Sequence, residues 1–438
     1  MTQKVAFKTI GCKVNQYETG TLNEAFSRNG YQIVEFQEKA DIYIINTCAV
    51  TAEAERKSKQ MIRKAAKLNP LSTIIVTGCV VQSGLPDIQG CKNISLLVSN
   101  YYKENIFNLI NKIELTKGRP SSFIQSAVQI TNYAESEYYS NSNRIRGMVK
   151  IQDGCNQFCS YCIIPYLRGR ARSRSSQKIL SEISHLASQG YKEVVLLGIN
   201  LGSYGADLIK EKINLANLLT QIENITGLAR IHLSSIELPY ITNELISAFT
   251  HSQKLCHHLH IPLQSGDNRI LSLMCRKYNS EQYEKTINKL RKNMPDIAIT
   301  TDVIVGFPGE DDISFEKTFQ LIKKIGFSKI HVFPYSERIL NLSSFLPDKT
   351  DVNTIKSRSK KLINLSTQLG KDYLVRNVGK EKNVLVEGQR QQDKKSFVSG
   401  LTDNYIKVYI YDLKVPKGQL IKVKLIEAKD NYMVGEPV

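Results

Sequence analysis

At 438 residues the chain is long enough for two or three domains, each with its own core. Its 42% hydrophobic and 23% charged residues are the balance of a globular protein, and no apolar run approaches the ~18 residues of a membrane span. The start, MTQKVAFKTI, has no signal-peptide apolar region, so a cytoplasmic protein with no membrane partner is expected. The formal charge of +18 is large for an enzyme acting on a small neutral molecule and fits a polyanion such as nucleic acid; charge alone fits general solubility equally well.

In chain order, residues 1–117 read as strands alternating with helices. VAFKTIG is a strand, NQYETGTLNEAFSRNG a helix stopped at Gly30, ADIYIINT a strand, TAEAERKSKQMIRKAAKL a basic amphipathic helix and STIIVTG a further strand. Such alternation predicts an α/β domain with a parallel sheet. Residues 118–143, rich in Ser, Tyr and Asn, are expected to be a linker. Between 144 and 370 come six strand-like runs, MVKIQD, EVVLLGIN, RIHLSSIE, HHLHIPLQ, AITTDVIVGF and KIHVFPYS, separated by helical patterns. They predict an open (β/α)6 partial barrel in place of the eight strands of a full one. After a helical stretch, residues 371–438 hold the short strands NVLVEG, SFVSG, YIKVYIYD and QLIKVKLIEA, the pattern of a small β-barrel.

Nine cysteines in a reducing compartment point to metal or catalysis before disulfides. Cys155, Cys159 and Cys162, in DGCNQFCSYCIIP, follow the first barrel strand, at the face where barrels keep their chemistry. Three thiolates select zinc or an iron–sulfur cluster. A closed zinc site needs a fourth ligand, and no Cys or His lies close by in the sequence; a 4Fe–4S cluster would keep one iron open. Cys12, Cys48 and Cys79 end the strands of FKTIGC, IYIINTC and IIVTGC. The carboxyl ends of parallel strands share one edge, so these three can converge on a second centre; singly, each would read as a small buried hydrophobe. Cys91, Cys256 and Cys275 have no such spacing and read as structural thiols. His257, His258 and His260 read as core or site-lining residues.

The C-x3-C-x2-C spacing with Tyr161 before the last cysteine resembles the signature of radical S-adenosylmethionine (SAM) enzymes. TIGCKVNQYET, INTCAVTAEAERKSKQ, KIQDGCNQFCSYCIIPYLRGRARSR, HIPLQSG, TDVIVGFPGE and HVFPYSER extend the resemblance over nearly the whole chain, to the radical SAM methylthiotransferases and, among them, the MtaB type. Two departures stand out: Leu238 precedes Pro239 where SSIEP is usual, and Ile339-Leu340 follow HVFPYSER where a Gly-Thr pair is common.

The resemblance implies two 4Fe–4S clusters, on Cys155, Cys159 and Cys162 and on Cys12, Cys48 and Cys79. The open iron of the first would bind SAM and, with one electron, yield a 5′-deoxyadenosyl radical. It implies methylthiolation of adenine C2 in N6-threonylcarbamoyladenosine at tRNA position 37, with two SAM per turnover, and an RNA-binding TRAM barrel at the carboxyl end. Isopentenyladenosine in tRNA or an aspartate of a ribosomal protein are the rival substrates; a non-catalytic zinc-containing RNA-binding protein is the rival class. Gly198, Asn200, Ser234, Glu237, Gln264 and Arg174 become candidate SAM contacts, and Arg168 and Tyr405 candidate contacts to the tRNA anticodon loop. Residues 144–174 carry seven basic side chains against one acid, Asp153, which suits phosphates. An electron donor such as flavodoxin or ferredoxin, and a sulfur source, are the further partners implied.

Overall fold

The computed structural model describes residues 2–84, 93–110, 120–136, 144–338, 341–392 and 395–438. Cys91, Ile339 and Leu340 lie outside the described residues, as does most of SEYYSNSN.

The amino-terminal domain holds β1 (Lys4–Thr9), α1 (Lys13–Arg28), β2 (Gln32–Val34), β3 (Ile42–Thr47), α2 (Ala52–Leu68), β4 (Thr73–Gly78), the single turn α3 (Cys79–Gln82) and β5 (Ile94–Val98). A sixth strand, β6 (Ser121–Phe123), completes a parallel sheet of order β2-β1-β3-β4-β5-β6. IYIINT of β3 is buried at all six positions, as a central parallel strand covered on both faces must be. α2 starts where the Thr51 hydroxyl accepts the Ala54 N–H at 3.2 Å, an N-cap ahead of the amphipathic run. The expected linker is corrected at its beginning, because Ser121–Phe123 pair with β5.

The central domain contains β7 (Gly147–Lys150), α4 (Ile164–Arg168), α5 (Ser176–Ser188), β8 (Glu193–Leu197), β9 (Arg230–Leu233), β10 (His258–His260), β11 (Ala298–Val305) and β12 (Lys329–Pro334). These are the six expected strands. They form two parallel sheets, β9-β8-β7 and β10-β11-β12, joined by bridges between Ile231 and Leu255 and between Ser235 and His260, so the barrel is open between β7 and β12. Val14 and Tyr17 of α1 pack on Met148, Val195 and Leu197 inside it, bringing the amino-terminal domain against the open barrel.

α6 (Val352–Val375) leads into a closed barrel of β13 (Glu381–Gln392), β14 (Lys395–Thr402), β15 (Lys407–Tyr411), β16 (Leu420–Ala428) and β17 (Met433–Pro437), in the order β13-β14-β15-β17-β16. The fifth strand, MVGEP, is not among the four short strands expected; it closes the barrel by pairing with both β15 and β16. The barrel docks at the amino-terminal end of the β9 strand, where Arg230 donates to Leu401 O at 3.0 Å and Asn383 O at 2.5 Å. No helix among the described residues is long and apolar enough to cross a membrane.

Candidate active site

The loop after β7 is shaped by its backbone. Gly154 has φ +71°, and a Cβ there would lie 2.0 Å from Arg170 O, so only glycine fits. Cys155 N–H donates to Gly169 O at 3.0 Å and Cys162 N–H to Cys159 O at 2.9 Å, winding the three thiols into one bowl. Gln157 N–H donates to Cys155 Sγ at 3.4 Å. Arg276, absent from the sequence-based list, is 2% exposed at its side chain and donates to Cys159 Sγ and Tyr161 OH, each at 3.2 Å. It also pairs with Glu237 and donates to Tyr278 OH at 2.9 Å. MCRKY offers only a lone arginine in a turn, and no local signal marks it. Burial pushes the Cys155 thiol up to about 11 and Cys162 up to about 12; cation binding must displace these protons.

The second set meets at the carboxyl edge of the amino-terminal sheet. Gly11 has φ +106°, and a Cβ built there would stand 2.7 Å from Cys48 Cβ: the strand end carrying Cys12 lies directly against Cys48. Cys48 and Cys79 are buried and Cys12 exposed. Burial, then the neighbouring Cys79 and Cys12, pushes Cys48 up to about 12. In neither set do all three sulfurs fall within 4.8 Å of one another. That is wide for the ligands of a single zinc ion.

α4, which begins just beyond Cys162, joins the sets. Ile163 and Leu167 are buried in the amino-terminal core beside Cys79, Val80 and Val81. Arg168 is 1% exposed and pairs with Glu18 of α1 at 2.8 Å and Asp153 at 3.0 Å, while donating to Asn15 Oδ1 at 2.7 Å. Glu18 also takes Lys103 at 2.5 Å and Lys150 at 2.9 Å. Burial raises the Glu18 carboxyl, but Arg168, Lys103 and Lys150 together hold it well below the usual range. The expectation of an RNA contact at Arg168 is thereby corrected: a guanidinium spent on two buried carboxylates has no face left for phosphate. Arg174, expected at SAM, is corrected likewise, being 3% exposed and paired with Glu182 and with Glu135 at 2.7 Å.

The other candidates ring the mouth at the strand ends. Gly198 lies against Gln152, just past β8, and Gln152 Oε1 accepts the Asn200 N–H at 2.8 Å. Asn200 Nδ2 reaches Tyr240 OH at 3.4 Å. Asn200 Oδ1 and Ser234 Oγ are buried without a hydrogen-bond partner, the condition of atoms that await a polar ligand. Gln264 is buried with φ +66° and bridges to Val303. Of these, Asn200 stands beside the Cys155 thiol, so its free oxygen faces a place where a polar ligand could bind. Tyr405 is elsewhere. Although YIKVYIYD reads as one strand, its first residue, Tyr405, sits in the turn before β15 with φ +65°. It stacks on His232 and His258 at 4.6 Å each, at the amino-terminal end of the open barrel.

Comparison with known proteins agrees with this architecture. Residues 149–322 match the radical SAM superfamily, and residues 4–98 match an uncharacterized protein family, UPF0004. The threonylcarbamoyladenosine tRNA methylthiotransferase MtaB of Bacillus subtilis is 38% identical over 99% of this chain and 96% of its own. That of Aquifex aeolicus is 36% identical over 96% and 99%. A tRNA-2-methylthio-N(6)-dimethylallyladenosine synthase of Thermoanaerobacter is 35% identical over 98% and 92%. Among solved structures, the radical SAM methyltransferase TsrM of Kitasatospora setae superposes with a TM-score of 0.56 at 13% identity, covering 78% of this chain and 77% of that one, a likeness of fold. A radical SAM fold carrying its three-cysteine loop holds a 4Fe–4S cluster and SAM. The chain belongs to the radical SAM methylthiotransferases, and within them to the MtaB type.

Proposed function

We propose that this protein places a methylthio group on C2 of N6-threonylcarbamoyladenosine at position 37 of tRNA. The observation that carries the reading is the junction of two three-thiol sets: α4, leaving Cys162, is built into the core that holds Cys79, and Arg168 bonds both α1 and the Cys155 loop. Cys155, Cys159 and Cys162 would hold the SAM-binding cluster, and Cys12, Cys48 and Cys79 a second one. When bound, these groups supply hydrogen abstraction from an unactivated carbon and a carrier for sulfur. The chain's own part is to aim and shield. Arg276 donates to Cys159 and fixes Glu237 at the mouth; Asn200 and Ser234 offer their unpaired oxygens to SAM.

An anticodon loop would be recognised jointly by the terminal barrel and the cationic surface, with the target base leaving its stack to reach the site. A flavodoxin- or ferredoxin-type electron donor and a sulfur source complete the cytoplasmic reaction. Anaerobically reconstituted protein, given SAM, a strong reductant and tRNA carrying threonylcarbamoyladenosine, is expected to yield its 2-methylthio derivative on nucleoside mass spectrometry. Zinc in place of iron and sulfide would end the enzyme reading. Product on isopentenyladenosine alone would end the substrate assignment.

A further inference from the structure

Behind the mouth, the open barrel encloses a polar layer that the cluster and SAM assignments leave unused. On β11, Val303 and Val305 face the helices in the main core, so Asp302 and Ile304 face inward. Their partners across the ladder are His331 and Phe333 of β12. His260 of β10 completes the layer: its Nε2 lies 3.1 Å from Asp302 Oδ2, and its ring centroid 5.7 Å from that of His331. One atom from each of the three converges within 4.8 Å. His260 Nδ1 is held by Thr300 Oγ1 at 2.9 Å, and Thr300 meets His258 Nε2 at 3.1 Å. His258 in turn meets His232 at 2.8 Å, over the Tyr405 floor. The His331 ring has no hydrogen-bond partner among the described residues. Nearer the mouth, Phe333 is 43% exposed.

Lys13, the residue after Cys12, is exposed beside the same open barrel. It lines a cavity of about 370 Å³ with Met148, Val195 and Tyr405, and its charge lowers the proton affinity of His232, His258 and His331. No ion pair or hydrogen bond engages its ammonium among the described residues.

In adenine, C2 and C6 flank N1, so a base with C2 toward the thiols directs its N6 substituent away from them, down between the strands. The base would lie at Phe333 and Ile304, and the substituent at the polar layer. We infer that His260, Asp302 and His331, with Lys13, form the receptor for a polar, carboxylate-bearing substituent on N6 of the target base, and that they reject an apolar one. The inference rests on the substrate reading above. The donors, Lys13 and His331, match a carboxylate; Asp302 matches a urea N–H or a hydroxyl. A prenyl group would satisfy none of them and would strip their water, the situation in which a site built for hydrogen bonds discriminates most strongly.

The test compares kcat/KM on tRNA carrying threonylcarbamoyladenosine with kcat/KM on tRNA carrying isopentenyladenosine or bare adenosine at position 37, for wild type, His331→Leu, His331→Asn and Asp302→Asn, with iron content as the folding control. Wild type should prefer the polar substituent by roughly a thousandfold or more. His331→Leu should cut that preference at least about tenfold, mainly through KM, with partial rescue by His331→Asn; Asp302→Asn should act in the same direction. Equal losses on all substrates, or an unchanged preference, would overturn the inference while leaving the substrate reading intact. So would a stoichiometric metal ion beyond the two clusters that disappears in His331→Leu, which would make the three residues a metal site. Wild-type turnover of isopentenyladenosine alone would remove the substrate reading and this inference together.

Discussion

The two cysteine sets arrive at adjoining places by opposite routes. Cys155, Cys159 and Cys162 share one loop, wound by Gly154 and by hydrogen bonds to Gly169 and within the bowl, and tied to the barrel where Ser160 N–H donates to Met274 O and Ser160 Oγ to Leu273 O. Cys12, Cys48 and Cys79 come from three strand ends, and only the register of β1, β3 and β4 brings them to one edge. A local set tolerates distant change; a dispersed one depends on every contact that fixes the register. The largest expected effect follows from this. Gly11→Ala would force a Cβ to within 2.7 Å of Cys48 Cβ at a backbone angle of φ +106°, so it should displace the dispersed set and spare the loop. Reconstituted iron should fall from about eight to about four per chain, with methylthio product lost and 5′-deoxyadenosine still formed. Full iron and full product would break the comparison.

What the sets share is the buried ion network between them, so its loss should not discriminate. Arg168→Met leaves Glu18 and Asp153 without one of the two cations they share, the other being Lys150. Removing one side of a buried pair costs about 3–5 kcal/mol, read as a fall in the thermal midpoint of the apoprotein. Both thiol sets should then lose iron together. Loss confined to one set would show that the network belongs to that set alone.

The same contrast explains what could be read from the sequence. The thiols were legible because each set carries a short-range signature, either close spacing or the repeated strand-then-cysteine context. The six barrel strands were legible because each pairs a β-rich run with a following helix. β2, only QIV, and β6, SSF in a Ser-rich segment, were not, since their pairing comes from neighbours far along the chain. Arg168 and Arg174 were misjudged for a similar reason. RGRARSR has the composition of a solvated basic turn, and the acids that bury it, Glu18, Glu135 and Glu182, announce nothing about their destination. Arg276 shows the converse, a bond to a loop thiol with no pattern at all to announce it.

Arg276 also sharpens the comparison, since among the described residues it is the charged side chain bonded to a thiol of the loop set. Arg276→Met removes a charge-assisted bond to Cys159, an interaction of about 1.5–3 kcal/mol, and releases Glu237. Iron content should stay near wild type, while the electron paramagnetic resonance signal of the loop cluster shifts and SAM cleavage slows about tenfold. An unchanged signal would mean that Arg276 serves only to hold Glu237.

The smallest effect is set by pH and again concerns the shared network. Glu18 and Asp153 are both held below the ordinary carboxylate range, in each case by cations that outweigh burial: Arg168, Lys103 and Lys150 for Glu18, and Lys150, Arg168 and Arg172 for Asp153. A carboxyl whose folded value is depressed contributes stability that is fully present above its unfolded value, near 4.3 for Glu and 3.9 for Asp, and that is lost as pH falls toward the folded value. The apoprotein should therefore lose about 1.5 kcal/mol between roughly pH 4.5 and 3.5 from these two groups. Glu18→Gln, although less stable throughout, should show a shallower slope across that interval, because one of the two groups no longer titrates. A slope identical to wild type would place the acid sensitivity in the many exposed carboxylates and remove this network from the account of how the elements carrying the two sets are held together.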